Sequence, residues 1–252
     1  MKSTYLPRKK LITLEGNMGA GKSTMLRLLK NIPDITIIPE PTDKWQHVGA
    51  AGNLLDLFYK DTQRWAYTFQ SYAFLTRVHA ILQQQFEHSD KHIHVLERSI
   101  YCDRFCFAKN CYDLGTMSEI EWNVYREWFL WISENFVPRP QGFIYLRTSP
   151  EVAYQRITQR HRSEETAVPL SYVQRLHERH EDWLIHAVEP LDSIKDVPVL
   201  VLQCDKDFEH DAGQSTQHLE AIRSFIDSLD KKTKEDVGFA MQTGLTNRDL
   251  EG

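Results

Sequence analysis

Apolar and polar residues alternate along this chain in a pattern that predicts strands separated by helices. Short apolar runs occur at 11–14, 35–38, 94–96, 142–146 and 199–202. Apolar residues recur at helical spacing over 25–29, 53–88 (with a break near 60–61), 118–136, 150–160, 170–188 and 216–229. Five short apolar runs alternating with helices predict an α/β fold, with a five-stranded parallel sheet and helices on both of its faces.

The same pattern predicts one domain over residues 1–230. No internal repeat, low-complexity block or linker interrupts it. From Lys231 onward charge rises and apolar residues become sparse, so we predict a disordered tail over 231–252. Ser118, with Glu121 three residues later, predicts a capping box at the start of the helix that runs to about 136.

The clearest chemical motif lies between the first strand and the first helix. Residues 16–23 read Gly-Asn-Met-Gly-Ala-Gly-Lys-Ser, which fits the phosphate-binding pattern G-x-x-x-x-G-K-[ST] at every fixed position. Small residues let backbone N–H groups converge on an anion, and the helix N-terminus adds a partial positive charge. We expect Lys22 to reach the outer phosphates and the Ser23 hydroxyl to join a Mg²⁺ shell.

Charged residues follow the second and third strands. Glu40 lies between two prolines, and Glu97 and Arg98 end the third apolar run. Ligands bind beyond the carboxyl ends of parallel strands, so these groups should converge on the phosphate loop. For phosphoryl transfer we assign Glu40 as general base, Glu97 to the Mg²⁺ shell with the loop serine, and Arg98 to orientation of the base. The alternative for Arg98 is a plain ion pair with either glutamate.

Two further groups fit the same reaction. Arg156, Arg160 and Arg162 suit a lid over about 156–168 that closes on the transferring phosphate, although a solvated basic helix end is the alternative.

Gln70, Ala73 and Arg77 recur at helical spacing and share one face, and a glutamine can read the edge of a nucleobase. The neighbouring aromatic residues Trp65, Phe69 and Tyr72 are more typical of core packing.

Composition narrows the classes of protein. A net charge of −5 argues against a nucleic-acid binder held by a basic surface. The four cysteines have no C-x-x-C spacing, which favours reduced thiols inside a cell. No apolar run is long enough to cross a bilayer, and residues 1–10 are too short and polar for a signal peptide. We therefore expect no membrane partner and a cytoplasmic protein, with a nuclear or mitochondrial location open.

Taken together, these motifs resemble the deoxynucleoside kinase family of P-loop enzymes, over nearly everything from Leu11 to Phe208. The segments that carry the resemblance are 15–17, Glu40-Pro41 with Trp45, 65–72, 97–99, 145–151 and 160–165. The resemblance implies a P-loop kinase with a five-stranded parallel sheet, usually a homodimer packed through helices. It also implies transfer of the γ-phosphate of ATP, with Mg²⁺, to a deoxynucleoside in nucleotide salvage.

The family's residue roles carry over to matching positions. Glu40 would be the base for the deoxyribose 5′-hydroxyl, with Arg98 as its orienting partner and Arg160 and Arg162 as lid arginines. The nucleoside side would comprise Tyr59 and Glu165 for the 3′-hydroxyl, Gln70 for the base edge, and Trp45 and Phe69 as walls. The phosphate-donor side would comprise Gly16, Asn17, Met18, Gly19, Ala20, Gly21, Lys22, Ser23, Thr24, Arg156, Asp207 and Phe208.

The base pocket is of mixed type. From Tyr145 to His186 the chain is most similar to the broad-specificity insect enzyme and mitochondrial thymidine kinase. Ala73, Arg77 and Asp103 instead match the deoxycytidine and deoxyguanosine kinases. An ionised Asp103, held by Arg77, would accept from an exocyclic amino group and repel a thymine carbonyl, at a cost of about 1–3 kcal/mol. We therefore expect deoxyadenosine, deoxycytidine and deoxyguanosine to be preferred over thymidine.

Other functions fit the sequence less well. A broad-specificity or thymidine-preferring kinase is the nearest alternative, followed by a nucleoside monophosphate kinase, which would want basic residues where Glu40 stands. A regulatory GTPase would want D-x-x-G and N-K-x-D motifs, and neither is present. A non-catalytic relative is disfavoured because Lys22, Ser23, Glu40, Glu97 and Arg98 are all present.

Overall fold

A five-stranded parallel sheet forms the centre of the molecule, in a computed structural model that describes residues 10–50, 52–86, 91–166 and 168–243. The strands are β1 (Lys10–Glu15), β2 (Ile35–Ile38), β3 (Ile93–Glu97), β4 (Gly142–Arg147) and β5 (Val199–Gln203). Their order across the sheet is β2-β3-β1-β4-β5, and all neighbouring pairs run parallel. The predicted fold class is therefore confirmed.

Helices connect each strand to the next. They are α1 (Lys22–Leu29), α2 (Thr42–Gln46), α3 (Leu54–Lys60), α4 (Thr62–Phe86), α5 (Ile100–Cys102), α6 (Lys109–Asp113), α7 (Glu119–Asn135), α8 (Pro150–Arg160), α9 (Leu170–Leu184) and α10 (Ala212–Thr243). A π-helical turn over Asp103–Ala108 joins α5 to α6, and a 3₁₀ turn over Ser163–Glu165 follows α8. No helix of the described residues is both long and apolar enough to cross a membrane.

Each face of the sheet buries its own apolar cluster. On one face, Ile12 and Leu14 of β1 pack with residues of α1 and α10, among them Leu29 and Ile222. On the other face, side chains such as Phe143 pack against α4, α7 and α9. Alternate residues of one strand point to opposite faces, which explains why these strands read as uninterrupted apolar runs.

Local signals placed most helices, and tertiary context changed others. The capping box at Ser118 and Glu121 forms as predicted. The segment over 100–113, where no helix was predicted, is helical throughout. The last helix extends to Thr243, beyond the predicted end at 229, and the remainder of the predicted tail, 244–252, lies outside the described residues.

Candidate active site

A cavity of about 730 Å³ lies at the carboxyl edge of the sheet, bordered by the phosphate loop, by α3 and α4, and by the segment that follows α8. It brings together the predicted site residues from distant parts of the chain. Of these, Gly16, Asn17 and Ala20 do not line it. Those that do are Met18, Gly19, Gly21, Lys22, Ser23, Thr24, Glu40, Trp45, Tyr59, Phe69, Gln70, Ala73, Arg77, Glu97, Arg98, Asp103, Arg156, Arg160, Arg162, Glu165, Asp207 and Phe208.

Glycine is required at two positions of the phosphate loop. Gly19 has φ +73°, and a Cβ there would lie 2.2 Å from the carbonyl oxygen of Ala153. Gly21 has φ +91°, and its Cβ would lie 2.6 Å from Cζ of Phe208. Both backbone angles lie in the left-handed region that glycine adopts without a steric cost. The loop can therefore press against α8 and against the turn that carries Phe208.

Lys22 is buried at the base of the loop. Its Nζ donates to the carbonyl oxygens of Gly16, at 3.1 Å, and Asn17, at 2.8 Å. Burial lowers the pKa of Lys22 to about 7, and the positive charge of Arg98 acts in the same direction. The amine therefore holds its proton weakly, in a position beside the loop that is shaped to receive phosphates.

Glu40 is held between two arginines. Nη1 of Arg98 donates to both carboxylate oxygens, at 3.0 and 3.1 Å, and Nη2 of Arg77 donates to Oε1 at 2.9 Å. Burial alone raises the pKa of Glu40, but the charges of Arg98 and Arg77 outweigh it and hold the pKa at about 2. The carboxylate is therefore ionised at any physiological pH and fixed in direction.

The backbone at Arg98 is left-handed, with φ +56°. Its N–H donates to the carbonyl oxygen of Leu14 at 3.0 Å, which continues the contact between β3 and β1 past the end of the strand. A non-glycine residue adopts this conformation at a cost of about 1–3 kcal/mol, and such residues cluster at functional sites. The turn places the Arg98 guanidinium over the cavity, where it reaches Glu40.

Arg77 links Glu40 to Asp103. Nε of Arg77 donates to Oδ2 of Asp103 at 2.8 Å, and Nη2 donates to Oδ1 at 3.1 Å. Its Nη1 donates to the carbonyl oxygen of Glu97 at 2.8 Å. Burial outweighs the Arg77 charge and raises the pKa of Asp103, while its two carboxylate oxygens both accept from Arg77, which is the geometry of the ionised form. The expected pair between Arg77 and Asp103 exists and is buried in the cavity; the bond from Arg77 to Glu40 was not foreseen.

Aromatic rings form the wall beside this network. Trp45 and Phe69 meet edge to face with centroids 5.5 Å apart, and Phe58 stacks on Phe69 at 4.6 Å. Nε1 of Trp45 donates to Oγ1 of Thr76 at 2.9 Å. Trp65 and Tyr72, the other aromatic residues of the predicted stripe, pack against the core as expected.

The predicted sugar residues come together with the predicted lid arginines. The hydroxyl of Tyr59 lies 3.7 Å from the sulfur of Met18, and burial together with the charge of Glu165 raises the pKa of Tyr59. Glu165 accepts from Nε of Arg160 at 2.6 Å and lies 3.9 Å from Nη1 of Arg162. Sequence reasoning expected these two arginines to face the phosphate; in this structure both pair with Glu165.

Glu164, in the 3₁₀ turn after α8, links that turn to the end of α2 and to the start of α3. Oε1 of Glu164 accepts from Nε2 of Gln46 at 2.8 Å and from Nδ2 of Asn53 at 3.0 Å. Asn53 also caps α3 through the backbone N–H of Asp56. Neither amide was singled out from the sequence, because polar residues in loops give no signal of a distant partner.

The donor side of the cavity is built around the turn after β5. Nη2 of Arg156 donates to the carbonyl oxygens of Asp205 and Lys206, at 3.1 and 3.2 Å. Oγ1 of Thr24 donates to Glu209 at 3.1 Å. Arg156 therefore holds the turn that positions Phe208, and it contributes to the predicted donor site through its hydrogen bonds to the backbone of that turn.

Eleven residues that line the cavity were not predicted from the sequence, among them Leu55, Phe107 and Tyr172. The hydroxyl of Tyr172 is buried without a hydrogen-bond partner in the described part of the chain. A buried unpaired hydroxyl is costly and suits a position that a ligand would contact. No motif marks Tyr172, since it lies in an ordinary amphipathic helix.

Comparison with known proteins places the chain in a family. A family model described as deoxynucleoside kinase matches residues 12–227. Deoxycytidine kinase 2 of Gallus gallus is 36% identical over 248 residues, covering 90% of this chain and 94% of that protein. Deoxycytidine kinase of Homo sapiens is 36% identical over 244 residues, with 88% and 93% covered. Mitochondrial deoxyguanosine kinase of Xenopus laevis is 34% identical over 240 residues, with 87% and 91% covered. Over this length and with the cavity described above, the chain belongs to the deoxynucleoside kinase family, whose members are ATP-dependent phosphotransferases.

Proposed function

We propose that the chain transfers the γ-phosphate of ATP to the 5′-hydroxyl of a deoxynucleoside, with Glu40 as the base. The observation that carries the proposal is the position of Glu40, which is fixed by Arg98 and Arg77 in the same cavity as Lys22. An uncharged sugar alcohol suits this position, whereas an acceptor phosphate would meet the Glu40 carboxylate.

The low pKa of Glu40 determines when the proton moves. A carboxylate whose pKa is about 2 is too weak a base to remove an alcohol proton before bond formation begins. In a loose phosphoryl-transfer transition state the attacking oxygen needs little negative charge early, so the proton reaches Glu40 late. Before that step, Glu40 orients the hydroxyl and Arg98 keeps the carboxylate in line.

The donor phosphates are assigned to the loop and the segment after α8. Backbone N–H groups of residues 16–23 and Lys22 would bind them, and Arg160 and Arg162 would exchange Glu165 for phosphate oxygens. Ser23 and Glu97 offer the oxygen ligands that Mg²⁺ prefers, and the Glu97 carboxylate makes no hydrogen bond or salt bridge within the described residues. Bound Mg²⁺ would neutralise charge on the β- and γ-phosphates.

A panel of the four deoxynucleosides with Mg·ATP tests the reaction. We expect Glu40→Gln, which keeps the shape of the side chain, to lower kcat by about 10²–10⁴-fold while the nucleoside still binds. Asp43→Asn, in the nearby α2, is the matched control and should retain turnover. Turnover by Glu40→Gln close to that of the parent would refute the assignment of the base.

We further propose that Asp103 and Arg77 set a preference for deoxyadenosine, deoxycytidine and deoxyguanosine over thymidine. Their buried pair in the cavity supports this, as do relatives named deoxycytidine and deoxyguanosine kinases. Asp103→Ala with Arg77→Met should raise thymidine turnover relative to deoxycytidine. Arg77 also holds Glu40, so the double variant should lose turnover with every substrate. The measurement is therefore the ratio of thymidine turnover to deoxycytidine turnover, in which that shared loss cancels. An unchanged ratio, or comparable turnover of all four by the parent, would contradict the preference.

We also propose a homodimer packed through α4 and α7. Trp128, Trp131 and Phe136 form an exposed aromatic surface, with centroid separations of 5.9 and 4.9 Å. Leu75 of α4 is also exposed. An aromatic surface of this kind on a folded chain marks an interaction site. Light scattering of the parent should give twice the mass of one chain. The double variant Trp128→Glu with Trp131→Glu should give the mass of a single chain. A parent with the mass of a single chain would exclude the dimer.

A further inference from the structure

Two cysteines and a histidine meet behind the active site and take no part in the proposed reaction. Cys102 and Cys106 lie one turn apart on the helical segment that carries Asp103, and His180 comes from α9. All three are fully buried. Their ligand atoms, two sulfurs and one ring nitrogen, lie within 4.8 Å of one another.

The histidine ring is already oriented as a ligand. Nδ1 of His180 lies 2.6 Å from the carbonyl oxygen of Leu176, so the proton belongs on Nδ1 and the lone pair on Nε2. That lone pair faces Sγ of Cys102 at 3.6 Å. The ring also stacks on Tyr145, with centroids 5.9 Å apart and planes within 5°. A metal-bound histidine is typically fixed in this way, through a backbone carbonyl on its other nitrogen.

The spacing suits a tetrahedral ion. With Zn–N near 2.0 Å and Zn–S near 2.3 Å, two ligands of a tetrahedron lie about 3.5 Å apart. The observed 3.6 Å between Cys102 and His180 matches that edge. Sγ of Cys106 lies within 4.8 Å of both of those atoms, so the three ligands must draw closer when the ion binds.

A buried acid near these three side chains is the candidate for a fourth ligand, and its carboxylate oxygens lie outside the group of atoms that are within 4.8 Å of one another. Glu15, at the end of β1, is fully buried, and its Oε2 has no hydrogen-bond partner among the described residues, while its Oε1 accepts from Ser99. Its charge lies close enough to act on both Cys102 and Cys106. A buried carboxylate oxygen without a partner is costly in an apolar interior, and a bound cation would remove that cost.

We propose that Cys102, Cys106 and His180 bind one Zn²⁺ or a similar soft divalent ion, and that the Glu15 carboxylate turns toward the ion to become its fourth ligand. On binding, both thiols lose their protons to solvent and form Zn–S bonds, with no change of oxidation state. The ion would tie the helical segment that carries Asp103 to α9. Because the ligands are buried, the ion enters as the chain folds.

Metal content of the full chain tests the proposal. The untagged protein, expressed with added Zn²⁺ and dialysed, should hold about one zinc per chain by mass spectrometry, as expected for a closed structural site. Cys102→Ser with Cys106→Ser should hold less than about a tenth of that. Cys204→Ser is the matched control, because Cys204 is also a buried thiol but packs on the opposite face of the sheet.

A measurement on the parent chain alone covers the case in which the double variant does not fold. Refolded with one equivalent of Co²⁺, the parent should show thiolate-to-cobalt absorption in the near ultraviolet. Absence of these bands would leave only a hydrogen-bonded thiol and imidazole pair and would overturn the proposal. So would a zinc content equal in the parent and in the double variant.

Discussion

Lys22 should couple ATP binding to the uptake of a proton. In the structure its pKa is about 7, because the amine is buried and lies near Arg98. Phosphate charges beside Nζ favour the ammonium form and raise this pKa. Above pH 7 the free enzyme therefore holds a largely neutral lysine, and ATP binding must protonate it.

The size of the effect follows from the pKa. With a pKa of about 7 before binding, roughly half of Lys22 is protonated at pH 7, about a tenth at pH 8 and about a hundredth at pH 9. The affinity for ATP should therefore fall about fivefold from pH 7 to 8 and about tenfold from pH 8 to 9. At pH 8, about 0.9 proton should be taken up for each ATP bound.

Isothermal titration calorimetry measures both quantities. Dissociation constants for Mg·ATP between pH 7 and 9 give the slope, and two buffers of different ionisation enthalpy give the proton count. Lys22→Arg is the control, because a guanidinium stays protonated over this range, and the titration of ATP itself is common to both proteins. A parent affinity that is flat with pH, with no proton uptake at pH 8, would refute the reasoning.

Three other predictions concern packing around the cavity. Arg77→Met should lower the free energy of unfolding by about 3–5 kcal/mol in urea titrations, because Asp103 stays buried without its partner, and adding Asp103→Leu should recover part of that loss. Equal stability of Arg77→Met and the parent would contradict this. Glu164→Ala should raise the KM for nucleoside several-fold, because the lid loses its hydrogen bond from Gln46, whereas Glu164→Gln keeps an acceptor oxygen and should leave KM unchanged. Equal KM values for the two variants would show that this hydrogen bond does not contribute to nucleoside binding. Gly19→Ala should abolish ATP binding through the 2.2 Å clash described above, whereas Gly49→Ala, at φ +55° with nothing within 4 Å of its Cβ, should bind normally; ATP binding by Gly19→Ala would show that the loop shifts without loss.

Features that depend on local chemistry could be predicted from the sequence. The five strands follow from short buried apolar runs, and the cap at Ser118 follows from hydrogen bonds between residues three apart. The convergence of Glu40 and Arg98 on the phosphate loop follows from the direction of parallel strands. Each of these needs only the neighbouring chain or a general property of sheets.

Features that depend on partners distant in the chain could not be predicted from the sequence. The contact from Arg77 to Glu40 joins residues 37 positions apart and requires a bend of the chain that no motif records. The pairing of Arg160 with Glu165 depends on the turn between them, not on the helical spacing. The π-helical turn at Asp103 lies in a segment whose mixture of cysteine, aromatic and charged residues has no clear period.

The left-handed backbone at Arg98 has a consequence for engineering. Glycine or asparagine at this position would relieve the backbone cost of about 1–3 kcal/mol, but either would remove one of the two arginines that hold the buried Glu40 carboxylate, which costs at least as much. A library selected only for thermal resistance should therefore retain arginine here. Screens for robust variants of this scaffold should keep position 98 constant, for stability as well as for activity, and seek gains elsewhere.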